Sequence, residues 1–317
     1  MNMSRRNGLA GVGLRLLGVA VAVWMAGTGA GAQAVSRSTS GGSAMAGQPA
    51  SIHNTSVVIP YQWGMHVIER RYHEDDAFTQ GLVLYNNILY ESTGLYGQSS
   101  LRKLNPKTGV IIRQIDLPDT IFAEGLARVD DRLIQITWKE KKAFVYDLKM
   151  FEQTRDYDYS GEGWGLCLDE AHKPRRLVMS DGSDTLFYRD PDTFELIGSI
   201  TVTRAGVPLH NLNELECVGQ SVYANVWQTD TIVRIDKDSG IVTAEINAFG
   251  LLTNEERAGH NPDVLNGIAY DPDTKHFLIT GKQWPKLYEV TFTGTDANNP
   301  GGGIPNLYLP QLRWDRR

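Results

Sequence analysis

Five related fragments recur along the chain and constrain its fold more than any other feature of the sequence. They read "FTQGL", "FAEGL", "GWGLC", "NELEC" and "LNGIA", and they begin at Phe78, Phe122, Gly163, Asn213 and Leu265. Alignment of the fragments puts one small or apolar residue of each in register, and we call this position the step. The steps are 40 to 52 residues apart, at Gly81, Gly125, Gly165, Leu215 and Gly267. A repeat keeps its packing residues, so the variable residue before each of these positions, polar in four of the five, indicates function.

Each repeat contains short β segments separated by turns. Runs rich in Val, Ile, Tyr and Thr alternate with turn clusters such as "NPKTG", "DPDT" and "DKDSG". Four strands in a period of this length are typical of a propeller blade. The fifth repeat stops after its third strand, near Phe292, and "HVIERRYH" (66–73) has the pattern of a fourth strand. We therefore predict an all-β fold, a five-bladed β-propeller closed by an N-terminal strand, which removes an open sheet edge.

One segment has a helix signal. In "LLTNEERAG" (251–259), Thr253 stands three residues before Glu256, which is the spacing of a capping box. We expect a short helix there, with an ordinary loop as the alternative.

The two ends of the chain differ from the repeats. Residues 1–34 combine Arg5, Arg6 and Arg15 with the apolar run "LLGVAVAVWMAG" and the small residues of "AGAQA", the pattern of a signal peptide. The run is shorter than the roughly 20 apolar residues that span a bilayer, so we expect no retained membrane anchor. We predict a signal peptide at 1–34, a flexible leader at 35–54, the catalytic propeller at 55–293 and a C-terminal tail at 294–317. The protein is then exported, either periplasmic or secreted.

Charge and ligand types limit the possible partners. The formal net charge is −6, and loss of the signal peptide makes it more negative. This opposes nucleic-acid binding, which relies on Lys and Arg. The seven His form no H-E-x-x-H motif or Cys/His cluster, so we expect catalysis without a metal or other cofactor. A structural calcium ion held by loop carboxylates is left open.

The two cysteines each lie two residues after an aligned step, in the inner strands of neighbouring repeats. Export to an oxidising space permits a Cys167–Cys217 disulfide. Bridged Cα atoms usually lie about 4.4–6.8 Å apart, however, and we expect the inner strands of neighbouring blades to lie further apart than that. We therefore expect two buried thiols, with the disulfide as the alternative.

The repeat register brings polar and aromatic residues to one mouth of the predicted channel. The starts of the inner strands contribute Gln80, Glu124, Trp164, Glu214 and Asn266, and the ends of the second strands add Trp138, Asp181, Trp227 and Lys282. Aromatic walls with a few convergent polar groups are typical of a small-molecule site. The alternatives are blade packing for each Trp, a solvated channel carboxylate for Glu124 and a structural ion pair for Lys282.

The same segments carry a resemblance to a known family. "AFTQGL", "YESTGLYGQSSLRK", "FAEGLA", "GEGWGL", "LNELE", "VYANVWQTDTIVRID", "LNGIAYDP" and "GKQWPKLYEV" resemble the plant and bacterial type of glutaminyl cyclase, or glutaminyl-peptide cyclotransferase. The similarity covers about residues 56–293. That family is a five-bladed propeller and converts N-terminal glutaminyl residues of peptides and proteins to pyroglutamate with release of ammonia.

The resemblance also implies roles for individual residues. Glu124 matches the family's acid/base carboxylate, and Lys282 matches a pocket lysine that would steady the carboxamide oxygen. The remaining matches are expected to bind the substrate: Phe78, Gln80, Phe122, Trp138, Trp164, Asn213, Glu214 and Trp227.

Two other functions are compatible with the residues. A glycoside hydrolase could use Glu124 and Glu214 as acid and base, although Lys282 and the amides beside them argue against it. A propeller without catalytic activity that binds peptides is the second alternative.

Overall fold

The computed structural model describes residues 57–295. The predicted signal peptide, the predicted leader and nearly all of the predicted tail lie outside the described residues. Within this range the chain forms an all-β structure, and no helix in it is long and apolar enough to cross a bilayer.

The strands are numbered in chain order. The first is β1 (Tyr61–Tyr72), followed by β2 (Thr79–Tyr85), β3 (Ile88–Thr93), β4 (Ser100–Leu104) and β5 (Ile111–Asp116). Next come β6 (Ala123–Val129), β7 (Arg132–Thr137), β8 (Lys142–Asp147) and β9 (Glu152–Asp158). The third group is β10 (Leu166–Asp169), β11 (Arg176–Met179), β12 (Thr185–Arg189) and β13 (Leu196–Thr201). A small hairpin of β14 (Thr203–Arg204) and β15 (Val207–Pro208) follows. The last strands are β16 (Leu212–Val218), β17 (Ser221–Val226), β18 (Thr231–Asp236), β19 (Val242–Asn247), β20 (Leu265–Asp271), β21 (His276–Gly281) and β22 (Lys286–Thr295).

Hydrogen bonding gathers these strands into antiparallel groups of four. The strands β2–β5, β6–β9 and β10–β13 form three separate four-stranded sheets. An eight-stranded sheet has the order β16-β17-β18-β19-β1-β22-β21-β20. It consists of two groups of four, because β1 pairs antiparallel with β22 along most of its length and parallel with β19 only at Tyr61–Trp63. The N-terminal strand thus lies beside the last repeat, as predicted, whereas its parallel pairing with β19 was not predicted.

The five groups contact one another in a cycle. Their first strands meet in the order β2, β6, β10, β16 and β20, and β20 returns to β2. Within residues 57–295 there are five hydrophobic clusters, and each lies between two successive groups. One of them packs Leu82 and Leu104 of the first group against Leu278 and Leu287 of the last. Burial of apolar surface therefore holds every group to both of its neighbours.

A buried ion pair joins the closing strand to the first group. His73, directly after β1, places Nε2 2.9 Å from Glu91 Oε1, and the Thr79 hydroxyl donates to the same oxygen. The other ring nitrogen, Nδ1, lies 2.7 Å from the carbonyl oxygen of Trp284 in the last group. Burial alone would lower the pKa of His73, but the charge and hydrogen bond of Glu91, together with the Trp284 carbonyl, outweigh burial and raise that pKa. His73 therefore links both sides of the seam where the cycle closes.

The short helix and the cysteines test two sequence expectations. The helix α1 (Asn254–Arg257) begins after Thr253, and the capping box with Glu256 is present, so that prediction is confirmed. The expectation of two buried thiols is wrong, because Cys167 and Cys217 form a disulfide with their Cα atoms 5.5 Å apart. Neighbouring first strands approach closely at the glycine steps: a Cβ on Gly165 would lie 2.1 Å from the Asn213 carbonyl oxygen.

Candidate active site

The repeated phrase coincides with an irregularity in the strands. In four of the five first strands the ladder shifts register: between Thr79 and Gly81, between Ala123 and Leu126, between Leu212 and Leu215, and between Leu265 and Ile268. The ladder of β10 has no such shift. Such bulges redirect side chains and are frequent next to functional sites. The polar residues inside these four irregularities are Gln80, Glu124, Asn213, Glu214 and Asn266.

Glu124 is one of two buried carboxyl groups in this set. Only 5% of the residue is exposed, and Gln80 Nε2 donates to Glu124 Oε1 at 3.1 Å. Asn266 Nδ2 in turn donates to Gln80 Oε1 at 3.2 Å, so an amide chain fixes the orientation of Gln80. Burial raises the pKa of Glu124 well above its usual value, and the positive charge of Lys282 opposes this shift. The carboxyl group is therefore positioned and biased toward holding a proton.

Lys282 follows β21 and is the buried cation of the site. Its backbone is held on both sides, because its N–H donates to the Val264 carbonyl and its own carbonyl accepts from Asp263 N–H, each at 2.9 Å. Lys282 Nζ lies 4.7 Å from the ring centroid of Phe78. Burial lowers the pKa of the ammonium group, and the negative charge of Glu124 opposes that shift. Glu124 and Lys282 each stabilise the charged form of the other.

Five half-buried aromatic side chains form two contacting groups beside these charges. In the first group, the Phe122 centroid lies 6.1 Å from Phe78 and 5.5 Å from Trp138. In the second group, Trp164 and Trp227 meet edge to face at 5.4 Å. All five were predicted from the sequence, and both groups provide apolar surface of the kind that surrounds a bound small molecule.

Glycines leave room for two of these rings. A Cβ on Gly182 would lie 2.6 Å from Trp164 Cζ2, and Gly182 also has a φ of +82°. A Cβ on Gly94 would lie 2.4 Å from Phe122 Cε1. These positions of Trp164 and Phe122 therefore depend on the absence of a side chain behind each ring.

The structure places Asn213 and Glu214 differently from each other. Asn213 is buried, and its Oδ1 has no hydrogen-bond partner within the described part of the chain. Glu214 Oε1 accepts from the backbone N–H of Leu82 at 3.3 Å, and Oε2 accepts from that of Ile268 at 2.9 Å. Burial raises the pKa of Glu214 well above its usual value. Its carboxyl group thus faces the backbone of β2 and β20.

The sequence reasoning missed Glu162 and Glu140. Glu162 Oε2 accepts from the indole N–H of Trp138 at 2.8 Å and from that of Trp164 at 3.3 Å. Glu140 accepts from the Tyr96 hydroxyl and, at 3.4 Å, from the backbone N–H of Phe122. Both carboxylates add to the raised pKa of Glu124. The only signal was the position of Glu162 in "GEGWGL", two residues before Trp164.

Within residues 57–295, no three His, Cys, Asp or Glu side chains lie together in a way that could hold a metal ion.

Comparisons with known proteins agree with one another. The family model described as glutamine cyclotransferase matches residues 41–292. A glutaminyl-peptide cyclotransferase of Arabidopsis thaliana is 39% identical over 230 residues, which cover 72% of this chain and 71% of that protein. The crystal structure of Myxococcus xanthus glutaminyl cyclase superposes with a TM-score of 0.69 at 38% identity, covering 75% of this chain and 100% of the other. This chain belongs to the glutamine cyclotransferase family.

Proposed function

We propose that this protein is a glutaminyl-peptide cyclotransferase that converts N-terminal glutaminyl residues of peptides and proteins to pyroglutamate. The observation that carries the proposal is a buried carboxyl group, Glu124, which is held by an amide and whose charge interacts with that of the buried Lys282 ammonium group beside Phe78. The similarity to a plant glutaminyl-peptide cyclotransferase and a bacterial glutaminyl cyclase over most of the chain supports it.

The reaction needs proton transfer and positioning rather than a protein nucleophile. The α-amine nitrogen attacks the side-chain carboxamide carbon of the same residue and forms the ring C–N bond. Glu124 takes a proton from that nitrogen and delivers it to the carboxamide nitrogen, whose bond to carbon then breaks to release ammonia. One group serves both steps because they occur in sequence on neighbouring nitrogens. Such acid/base catalysis typically contributes about 10²–10⁴-fold.

The other buried groups would orient the substrate and stabilise charge. Lys282 faces the carboxamide oxygen as it gains negative charge, which is the role of an oxyanion-stabilising cation. Asn213 Oδ1, which has no partner in the described chain, accepts from the substrate amine or amide. Gln80 orders Glu124, and Phe78, Phe122, Trp138, Trp164 and Trp227 form the walls. This enclosure holds amine and carboxamide in a near-attack arrangement, which is worth about 7–11 kcal/mol in favourable intramolecular reactions.

Glu214 has a structural position in this proposal. Both of its oxygens accept from backbone N–H groups, so we assign it to joining β2 and β20 beneath the site. This placement also weighs against a glycoside hydrolase, which would require Glu124 and Glu214 to act as a free pair.

We further propose that the five groups are the blades of a five-bladed β-propeller closed by β1. The cyclic contacts of the first strands and the five clusters between successive groups support this arrangement. Propellers carry their sites where the inner strands converge, which fits the position of Glu124 and Gln80.

Export remains part of the proposal. The Cys167–Cys217 disulfide suits an oxidising compartment, and the signal pattern of residues 1–34 suits a periplasmic or secreted protein. The partners are then peptides or proteins that begin with Gln. Neither nucleic acid nor a catalytic cofactor is required, and a structural calcium ion is compatible with the proposal.

The direct test is incubation of the purified protein with a Gln-initiated peptide. We expect a product lighter by one ammonia, together with stoichiometric ammonia. The matched control is the same peptide with an acetylated N-terminus, which has no free amine to attack and should remain unchanged. Folded protein that leaves the free peptide intact would refute the proposed activity and favour a binding module.

A further inference from the structure

The two aromatic groups of the site meet at one carboxylate that the acid/base mechanism does not use. Trp138 follows β7 and Trp164 precedes β10, so they belong to successive four-stranded groups. Glu162 Oε2 accepts from Trp138 Nε1 at 2.8 Å and from Trp164 Nε1 at 3.3 Å. A single oxygen atom therefore connects the walls contributed by two sheets.

Contacts on both sides make this connection specific. Glu162 Oε1 lies 3.8 Å from Lys139 Nζ, and that ammonium group lies 3.7 Å from the ring centroid of Trp138. The Glu162 carboxylate thus contacts the edge of the Trp138 indole, and the Lys139 ammonium group contacts its face. Trp164 is backed by Gly182 and contacts Trp227 on its other side.

The chemistry of indole explains why such an acceptor matters. An indole ring has one polar atom, its N–H, and a partner for that atom determines which way the ring faces. Hydrogen bonds to an ionised acceptor are shorter and stronger than neutral ones. We propose that Glu162 is a positioning residue that orients Trp138 and Trp164 and so sets the shape of the substrate pocket. This inference rests on the proposed cyclotransferase activity.

Removal of this acceptor is expected to weaken substrate binding more than turnover. The walls contact the substrate before and during the reaction, so a disordered wall loses binding that is common to ground and transition states. We expect Glu162→Ala to raise KM about tenfold with a smaller change in kcat, the size expected for loss of a partly exposed charge-assisted hydrogen bond. Glu162→Gln keeps an oxygen acceptor and should raise KM less.

The charge of Glu162 has a separate consequence that Glu140 shares. Charged and titratable groups whose charges interact with the Glu124 carboxyl are Lys282, Glu140, Glu162, Tyr96 and Tyr159. Loss of either carboxylate lowers the pKa of Glu124, so the acidic limb of kcat/KM against pH moves to lower pH in Glu162→Gln and in Glu140→Gln. Of these two, only Glu162 touches the indoles, which makes Glu140→Gln the matched control.

The test combines kinetics with the indole N–H signals of ¹⁵N-labelled protein. Trp138→Phe and Trp164→Phe assign the two signals. We expect Glu162→Ala to shift both signals and raise KM, Glu162→Asp to fall between wild type and Ala, and Glu140→Gln to leave both signals in place. If Glu162→Ala leaves the two signals and KM at wild-type values, or if Glu140→Gln reproduces all its effects, the positioning role is overturned. Should Glu162→Ala not fold, Glu162→Gln takes its place, with smaller shifts of both signals and a smaller rise in KM expected. Wild-type protein that releases no ammonia would refute the activity alone, because the indole signals do not depend on turnover.

Discussion

Replacement of Glu124 by Gln is the sharpest test of the proposed chemistry. The two side chains have nearly the same size, and the new amide oxygen can still accept from Gln80 Nε2, which donates to Glu124 at 3.1 Å. The substitution removes the group that we propose takes a proton from the amine and returns it to the leaving nitrogen. Substrate contacts with the aromatic walls remain.

The expected loss follows from that single change. Positioned acid/base groups contribute about 10²–10⁴-fold, which corresponds to about 2.7–5.4 kcal/mol of activation free energy. We expect kcat to fall by at least about 100-fold, whereas KM should change little, because the walls and Asn213 still bind the substrate.

Stability should respond to pH in a defined direction. Burial raises the pKa of Glu124 above its ordinary value of 4.5, so the folded protein retains this proton over a pH range in which the unfolded chain has lost it. The free energy of unfolding therefore falls as pH rises from 4.5 through the pKa of the folded state. The Glu124→Gln variant has no group that titrates at this position. Its free energy of unfolding relative to that of wild type should therefore rise over the same pH range. Each pH unit of that range is worth about 1.36 kcal/mol.

The assay measures ammonia release from a Gln-initiated dipeptide, beside thermal melts at several pH values. Glu214→Gln is the matched control, because it is the same substitution at a buried carboxyl whose oxygens face backbone N–H groups. It should reduce turnover less than Glu124→Gln. If folded Glu124→Gln turns over at a near-wild-type rate, the assignment of acid and base to Glu124 is wrong.

Three further changes have defined outcomes. Lys282→Met should lower kcat and move the acidic limb of kcat/KM against pH to higher pH, because the ammonium charge lowers the pKa of Glu124 in wild type. An acidic limb at the wild-type pH would contradict this. Gly182→Ala would place a methyl group against Trp164 and should raise KM about tenfold. Steady-state kinetics measures this, and an unchanged KM would show that substrate binding tolerates displacement of Trp164. Cys167→Ser combined with Cys217→Ser should lower the free energy of unfolding by about 4 kcal/mol, the chain-entropy value for the 50-residue separation. Denaturant melts measure this loss, and free thiols in denatured, unreduced wild type would argue against the disulfide.

Strand order could be read from the repeat, because a small or apolar residue recurs at the same position of each repeat. The same logic placed residues 66–73 beside the last repeat, since that repeat lacked a fourth strand. The helix after Thr253 could be predicted because a capping box is a local signal. The repeat also brought the polar residues together, since each lies in the same irregularity of its first strand.

Other contacts depend on distances that no local pattern encodes. The Cys167–Cys217 bond depends on how closely two first strands approach, and that approach is set by glycine backbone contacts. The partners of Glu162 and Glu214 depend on side-chain direction across sheet boundaries. A carboxylate in the sequence can serve as proton carrier, ring holder or backbone acceptor, and only its surroundings distinguish these roles.

Turnover should depend on the contact between the first and last groups at His73, directly after β1. We call this contact the seam. Gln80 belongs to the first group and Lys282 to the last, and these groups adjoin where β2 meets β20 and where His73, directly after β1, reaches Glu91. Proteins open locally at lower free energy than they unfold globally. A molecule opened at this seam would keep most strand pairs in the other groups, yet the amide and the ammonium group would separate. Its spectrum would still be that of a folded β protein, although it would no longer catalyse the proposed reaction.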